Sequence, residues 1–130
     1  KRGIYSHETA LFLWDLTDRT PNRYYMTFPA TYNLTKPKEE TIRCVQCKKE
    51  LYDLGITEVT TPGGNTVRAY SVERTLCDIL RPHRCVDIQI VTEAFKHYIT
   101  RSNKNIPVLS EYATMLKVEA KLRSYLEVLL

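Results

Sequence analysis

The chain has 130 residues, 43% of them hydrophobic and 26% charged, which is enough for a globular domain with its own core and no need of disulfide or metal staples. Its formal charge is +4, with Lys and Arg interleaved with acids throughout; that permits contact with nucleic acid without arguing for it. No apolar run nears the roughly 18 residues of a membrane span and no signal-peptide pattern is present, so the expectation is a soluble, cytoplasmic protein.

The chain starts at Lys1 without an initiator Met and enters "IYSHETALFLW" almost at once, which reads as a cut into a longer protein. Ser6 stands where a helix N-cap belongs, with Glu8 in the first turn favoured by the helix dipole. The helix is expected over residues 7–16. Ala10, Leu11, Leu13 and Trp14 cover more than one stripe of it, so its neighbours should enclose it. Asp18, Arg19, Thr20 and Pro21 stop it. Arg23 to Phe28, rich in Tyr and Thr, reads as a strand closed by Pro29.

After a polar connection, Thr41 to Gln46 reads as another strand, while Lys48 to Leu54 fits either a short helix or an extended segment. "ITEVTTPGGNTVRAY" sets two β-prone runs around Pro62-Gly63-Gly64-Asn65, the signature of a β-hairpin whose turn needs glycine's freedom. Ser71 then caps "VERTLCDIL", where Val72, Leu76, Ile79 and Leu80 share a face. Pro82 ends that helix. Three further helices follow from apolar spacing. Residues 87–101 place Ile88, Val91, Phe95 and Tyr98 on one face, although the β-branched start argues against a regular first turn. Pro107 opens a second, with Leu109, Tyr112 and Leu116. Residues 118–130 repeat the pattern with Val118, Leu122, Tyr125 and Leu129. The fold class is therefore α/β in the broad, α+β sense: a small mixed sheet with helices over residues 1–82, then a helical bundle over 83–130, with a seam near 82 to 87.

Four cysteines pose the question of metal. Cys44 and Cys47 form a C-x-x-C, but Cys77 and Cys85 are too far apart for a second knuckle, so reduced structural thiols are the preferred reading. His7-Glu8 lacks a second His, since Leu11 stands where H-E-x-x-H needs it. His83 and His97 have no ligand spacing with each other or with the cysteines. Ser6 and His7 lack the glycines of a nucleophile elbow. Nuclease chemistry wants an acid followed by Glu-x-Lys on the next strand, whereas the hairpin offers Glu58-Val59-Thr60. Gly63-Gly64 sits in no phosphate-loop pattern. No catalytic residue, metal or cofactor is expected. What remains is Arg74, Asp78 and Arg81, spaced to share a helix face, which read as an ion-paired network or as a recognition surface for a phosphate or an acidic partner. Asp18-Arg19 reads as a turn-closing pair or a surface contact.

Three ordered blocks, "GIYSHETALFLWDLTDRTPNRYYMTFP", "LGITEVTTPGGNTVRAYSVERTLCDIL" and "VEAKLRSYLEVLL", resemble the C-terminal region of AbiEi-type antitoxins from bacterial abortive-infection, type IV toxin–antitoxin systems. The resemblance covers nearly the whole chain; "RCVQCKK" departs from it. In that family an N-terminal winged helix-turn-helix represses the operon by binding promoter DNA, and the C-terminal region counters a nucleotidyltransferase-like toxin. The resemblance thus implies an antitoxin part of a transcriptional regulator, non-enzymatic and active in phage resistance, with operator binding placed in a domain missing from this chain. The polar residues in the matching blocks are Ser6, His7, Glu8, Thr9, Asp18, Arg19, Arg74 and Asp78, and no catalytic role carries over to them. The alternative is an accessory nucleic-acid-binding or dimerising module, with Arg68, Arg74, Arg81, Arg84, Lys96, Arg101 and Lys104 as backbone contacts. An unrecognised nuclease-like enzyme is the third reading.

Overall fold

The computed structural model describes residues 3–20, 23–35, 42–82 and 86–129. In chain order the elements are β1 Ile4–Tyr5, α1 His7–Leu13, β2 Tyr25–Pro29, β3 Arg43–Cys47, α2 Lys49–Tyr52, β4 Ile56–Thr60, β5 Thr66–Tyr70, α3 Val72–Asp78, α4 Ile88–Ile99, α5 Ile106–Met115 and α6 Glu119–Leu129. The fold is α+β: a five-stranded mixed sheet in the order β3-β2-β1-β5-β4, followed by C-terminal helices. The centre of the sheet is its shortest strand. Ile4 and Tyr5 pair antiparallel with Thr27 and Met26, and Tyr5 pairs parallel with Ala69.

The hairpin forms where Gly64 takes a φ of +90° and Thr61 N–H donates to Asn65 O at 2.7 Å. Ser71 caps α3 by accepting from Arg74 N–H at 3.2 Å. The ambiguous stretch after residue 47 is one turn of helix, α2. The β-branched start of α4 is helical after all, because Asp87 accepts from Gln89 N–H at 2.8 Å and anchors the first turn. Asn105 does the same for α5 through Val108 N–H at 3.2 Å.

One helix, α1, ends earlier than the apolar spacing predicts. α1 stops at Leu13, not residue 16, because Asp15 adopts a φ of +60°. Leu16 N–H then donates to Leu11 O at 2.8 Å and Asp15 N–H to Phe12 O at 3.1 Å, the paired bonds of a Schellman ending, with apolar Leu16 folded back onto Leu11. α5 ends alike: Lys117 sits at φ +63°, Val118 N–H reaches Ala113 O at 2.8 Å and Lys117 N–H reaches Thr114 O at 3.2 Å. Glycine usually holds this left-handed position; here an aspartate and a lysine do. Val118 therefore precedes α6 and offers its carbonyl to Leu122 N–H.

Apolar packing crosses the expected seam. A single cluster of buried residues takes Leu11 and Leu16 from the α1 end, Leu76, Ile79 and Leu80 from α3 and its end, and Val91, Phe95, Leu109 and Leu122 from the three C-terminal helices. Phe95 and Tyr125 stack at 5.0 Å and so join α4 to α6. No helix among the described residues is long and apolar enough to cross a membrane.

Candidate functional site

Arg74 and Asp78 lie one turn apart on α3 and are almost fully buried, with Arg74 Nε donating to Asp78 Oδ2 at 3.1 Å. Arg74 Nη1 also donates to Leu51 O and, at 2.9 Å, to Leu54 O, the carbonyls that close α2. Its guanidinium lies 4.1 Å from the centre of the Tyr70 ring. Burial works most strongly against the charged form of Arg74, but the Asp78 carboxylate, Tyr70 and the hydrogen bond to Asp78 together with Cys47 outweigh it, so the guanidinium holds its proton more tightly than usual. Gly55 makes room for this side chain. With φ at +81°, a Cβ there would meet Arg74 Cβ at 2.9 Å. The pair thus binds α3 to the α2–β4 connection. Arg81 does not join it: half-exposed at the end of α3, it makes no ion pair within 4 Å among the described residues.

Ser6 and His7 form a second buried set. Ser6 occupies the N-cap position but its hydroxyl caps no amide, which corrects the sequence expectation. Thr27 Oγ1 donates to Ser6 Oγ at 2.9 Å, and His7 Nδ1 lies 2.9 Å from the same oxygen. The hydroxyl is held between strand and helix and so points away from the free amides. His7 starts α1 at φ +53°, a backbone state that surroundings must hold in place. A serine before a histidine at a strand-to-helix turn invites a nucleophile reading, but a nucleophile must meet its substrate. Ser6 has no exposed surface and cross-links α1 to β2. Thr9 adds to this link by accepting from Tyr25 N–H at 2.9 Å.

Cys44, Cys47 and Cys77 form no disulfide among the described residues. Cys44 and Cys47 sit on β3, which pairs with β2 residue for residue; a spacing of three along an unbroken strand sends the two side chains to opposite faces. They therefore do not form one chelating pair. Burial raises the Cys47 thiol and pushes Cys77 up to about 12, the reverse of what thiolate chemistry requires. Cys85, with His83 and Arg84, lies outside the described residues.

At the surface the picture differs. Arg19, Arg23 and Arg43 line a cleft of about 330 Å³ with Thr17, Thr20 and Tyr25, and Glu8 is the acid at its wall. Arg19 is partly engaged, 3.6 Å from Asp87 and donating to Gln89 at 3.3 Å. Arg23 and Arg43 are exposed and make no ion pair within 4 Å among the described residues. Next to this cleft, Asp18 converges with Glu93 and His97 of α4.

The other described cations are spread over several elements. Arg68 is exposed on β5 opposite Glu58. Arg101 is committed to the end of α1, donating to Trp14 O at 2.6 Å and Asp15 O at 3.0 Å. Lys104 reaches Arg101 O at 3.4 Å, and Lys96 is exposed on α4. Arg23 and Arg43 were missed by sequence reasoning because the cleft is assembled from the α1–β2 connection and β3, which only the parallel β2–β3 pairing brings together. The chain matches no family model and no curated protein.

Proposed function

We propose that this chain is the toxin-countering part of a bacterial type IV toxin–antitoxin regulator of the abortive-infection class: a cytoplasmic, non-enzymatic domain that opposes a nucleotidyltransferase-like toxin. In this reading operator DNA is bound mainly by a winged helix elsewhere in the protein. One observation carries the proposal beyond the sequence resemblance. Of the polar residues in the antitoxin-like blocks, Ser6, His7, Thr9, Arg74 and Asp78 are buried as scaffold, while Asp18 and Arg19 are exposed at the arginine-lined cleft and its rim. The scaffold supports a surface where Arg23 and Arg43, with no ion pair within 4 Å among the described residues, suit phosphate or carboxylate recognition.

The test is co-expression of the chain with the toxin encoded beside its gene, scored by growth. Rescue is expected, and the double charge reversal Arg23→Glu/Arg43→Glu should abolish it without changing the melting temperature. A folded chain that gives no rescue would refute the assignment. The same arginines favour a second reading, an accessory nucleic-acid contact. Under it the log of the affinity for operator DNA should fall with log salt by about 0.9 for each phosphate contacted, and the charge reversal should flatten that slope.

A further inference from the structure

We infer that Asp18, Glu93 and His97 form a binding site for one divalent first-row transition-metal ion. Glu93 and His97 are four residues apart on α4 and so project from one helix face. Asp18 comes from the connection after α1. One ligand atom from each residue lies within 4.8 Å of the other two. No ion pair within 4.0 Å joins His97 to Asp18 or Glu93. Nor does Lys96, which borders the same depression, neutralise them within that distance. Two carboxylates and an imidazole thus face one another across a gap too wide for hydrogen bonds among them.

A cation at about 2.1 Å from each donor requires donors about 3 to 3.4 Å apart, so closure calls for roughly an ångström of movement. Asp18 and His97 are exposed and Glu93 half-exposed, which leaves them that freedom. The backbone between them is already fixed on both sides of Asp18. Thr17 Oγ1 donates to Glu93 Oε1 at 3.2 Å, and Arg19 N–H donates to Thr17 Oγ1 at 3.2 Å. The Arg19 side chain reaches Gln89 and Asp87 at the start of α4. The loop is therefore pinned to α4 before any ion arrives, which lowers the ordering cost of binding. One imidazole with two carboxylates suits zinc, manganese or cobalt(II), with remaining coordination positions open to water. Sequence spacing hides the site, because Asp18 is remote from the other two in the chain. The site would fasten the α1–β2 connection to the helical half.

The experiment is equilibrium dialysis of the chelator-stripped protein against Zn2+ and Co2+, with metal quantified per chain. Thermal melts and the cobalt visible spectrum are read in parallel. One ion per chain and a raised Tm are expected. His97→Ala and Asp18→Asn should weaken binding by about tenfold or more and cancel the Tm gain, with unchanged circular dichroism. A Cys44→Ser/Cys47→Ser protein should bind as the parent does and lack any thiolate-to-cobalt charge-transfer band. Absence of stoichiometric binding, binding unaffected by His97→Ala, or binding lost in the cysteine variant would each overturn the assignment. Growth rescue plays no part in these readouts, so the metal site stands or falls separately from the antitoxin reading.

Discussion

Replacing Arg74 by Met is the most direct challenge to the division between buried scaffold and the exposed arginine cleft proposed for recognition. The substitution leaves the Asp78 carboxylate without its partner at 3.1 Å, removes the Arg74 hydrogen bonds to Leu51 O and Leu54 O, and takes the cation from the Tyr70 ring. Loss of one member of a buried pair costs about 3–5 kcal/mol. That is a large share of the ~5–15 kcal/mol by which a domain of this size is stable. With a urea dependence of about 1.5–2 kcal/mol per molar, the midpoint should fall by about 2 M. Trp14, the single tryptophan, donates through Nε1 to Tyr70 O at 2.8 Å and gives a fluorescence reporter close to the lesion. The double variant Arg74→Met/Asp78→Leu should recover part of the loss, since no buried charge is then left unpaired. The lost Arg74 hydrogen bonds to Leu51 O and Leu54 O keep the recovery incomplete. A cost below about 1 kcal/mol for Arg74→Met, outside the range for a broken buried pair, would refute the reasoning. So would a folded Arg74→Lys protein with parental stability that has lost growth rescue, because Arg74 would then be acting on a partner.

Two other outcomes bear on the core. Leu122 is 3% exposed and is the buried residue of α6, so Leu122→Ala should cost about 2–5 kcal/mol; an unchanged melting temperature with lost antitoxicity would instead make that face a docking stripe. Stability should also decline in alkali. Cys77 is raised from 9.0 to about 12, first by burial and then by Asp78, against the pull of Arg74. The folded state therefore holds this proton more tightly than the unfolded state. Its contribution is whole below about pH 9 and is lost as pH rises towards 12. Tyr70 and Tyr98, raised chiefly by burial, add the same sign above pH 10. Urea midpoints that stay level between about pH 8 and pH 11 would contradict this burial.

What could be read in advance was whatever the chain specifies locally. Ser71 caps its helix because its side chain reaches an amide three residues on, and the Pro62-Gly63-Gly64-Asn65 turn needs only its own neighbours. The mixed sheet with C-terminal helices followed from such elements and their order. The misreadings arise where distant contacts overrule local rules. Asp15 and Lys117 hold left-handed positions that sequence reasoning reserves for glycine, because burying Leu16 and Val118 offsets the strain. Ser6 has the residue type and position of a cap, yet Thr27 and His7 occupy its hydroxyl. The Arg23–Arg43 cleft and the Asp18–Glu93–His97 convergence join segments with no shared periodicity. They exist only once the sheet and the α1 turn have formed.

The two-residue β1 at the centre of the sheet bears on the order in which the protein is made. Its antiparallel partner β2 emerges soon after it, but Ala69 on β5 emerges only after β3, α2 and the first arm of the hairpin. During synthesis the strand that joins the two halves of the sheet must therefore wait, with one edge unpaired, for a partner late in the chain. Closing so long a loop around so few hydrogen bonds makes sheet closure a late and slow step. The nascent chain is most open to mispairing and proteolysis until the hairpin has left the ribosome.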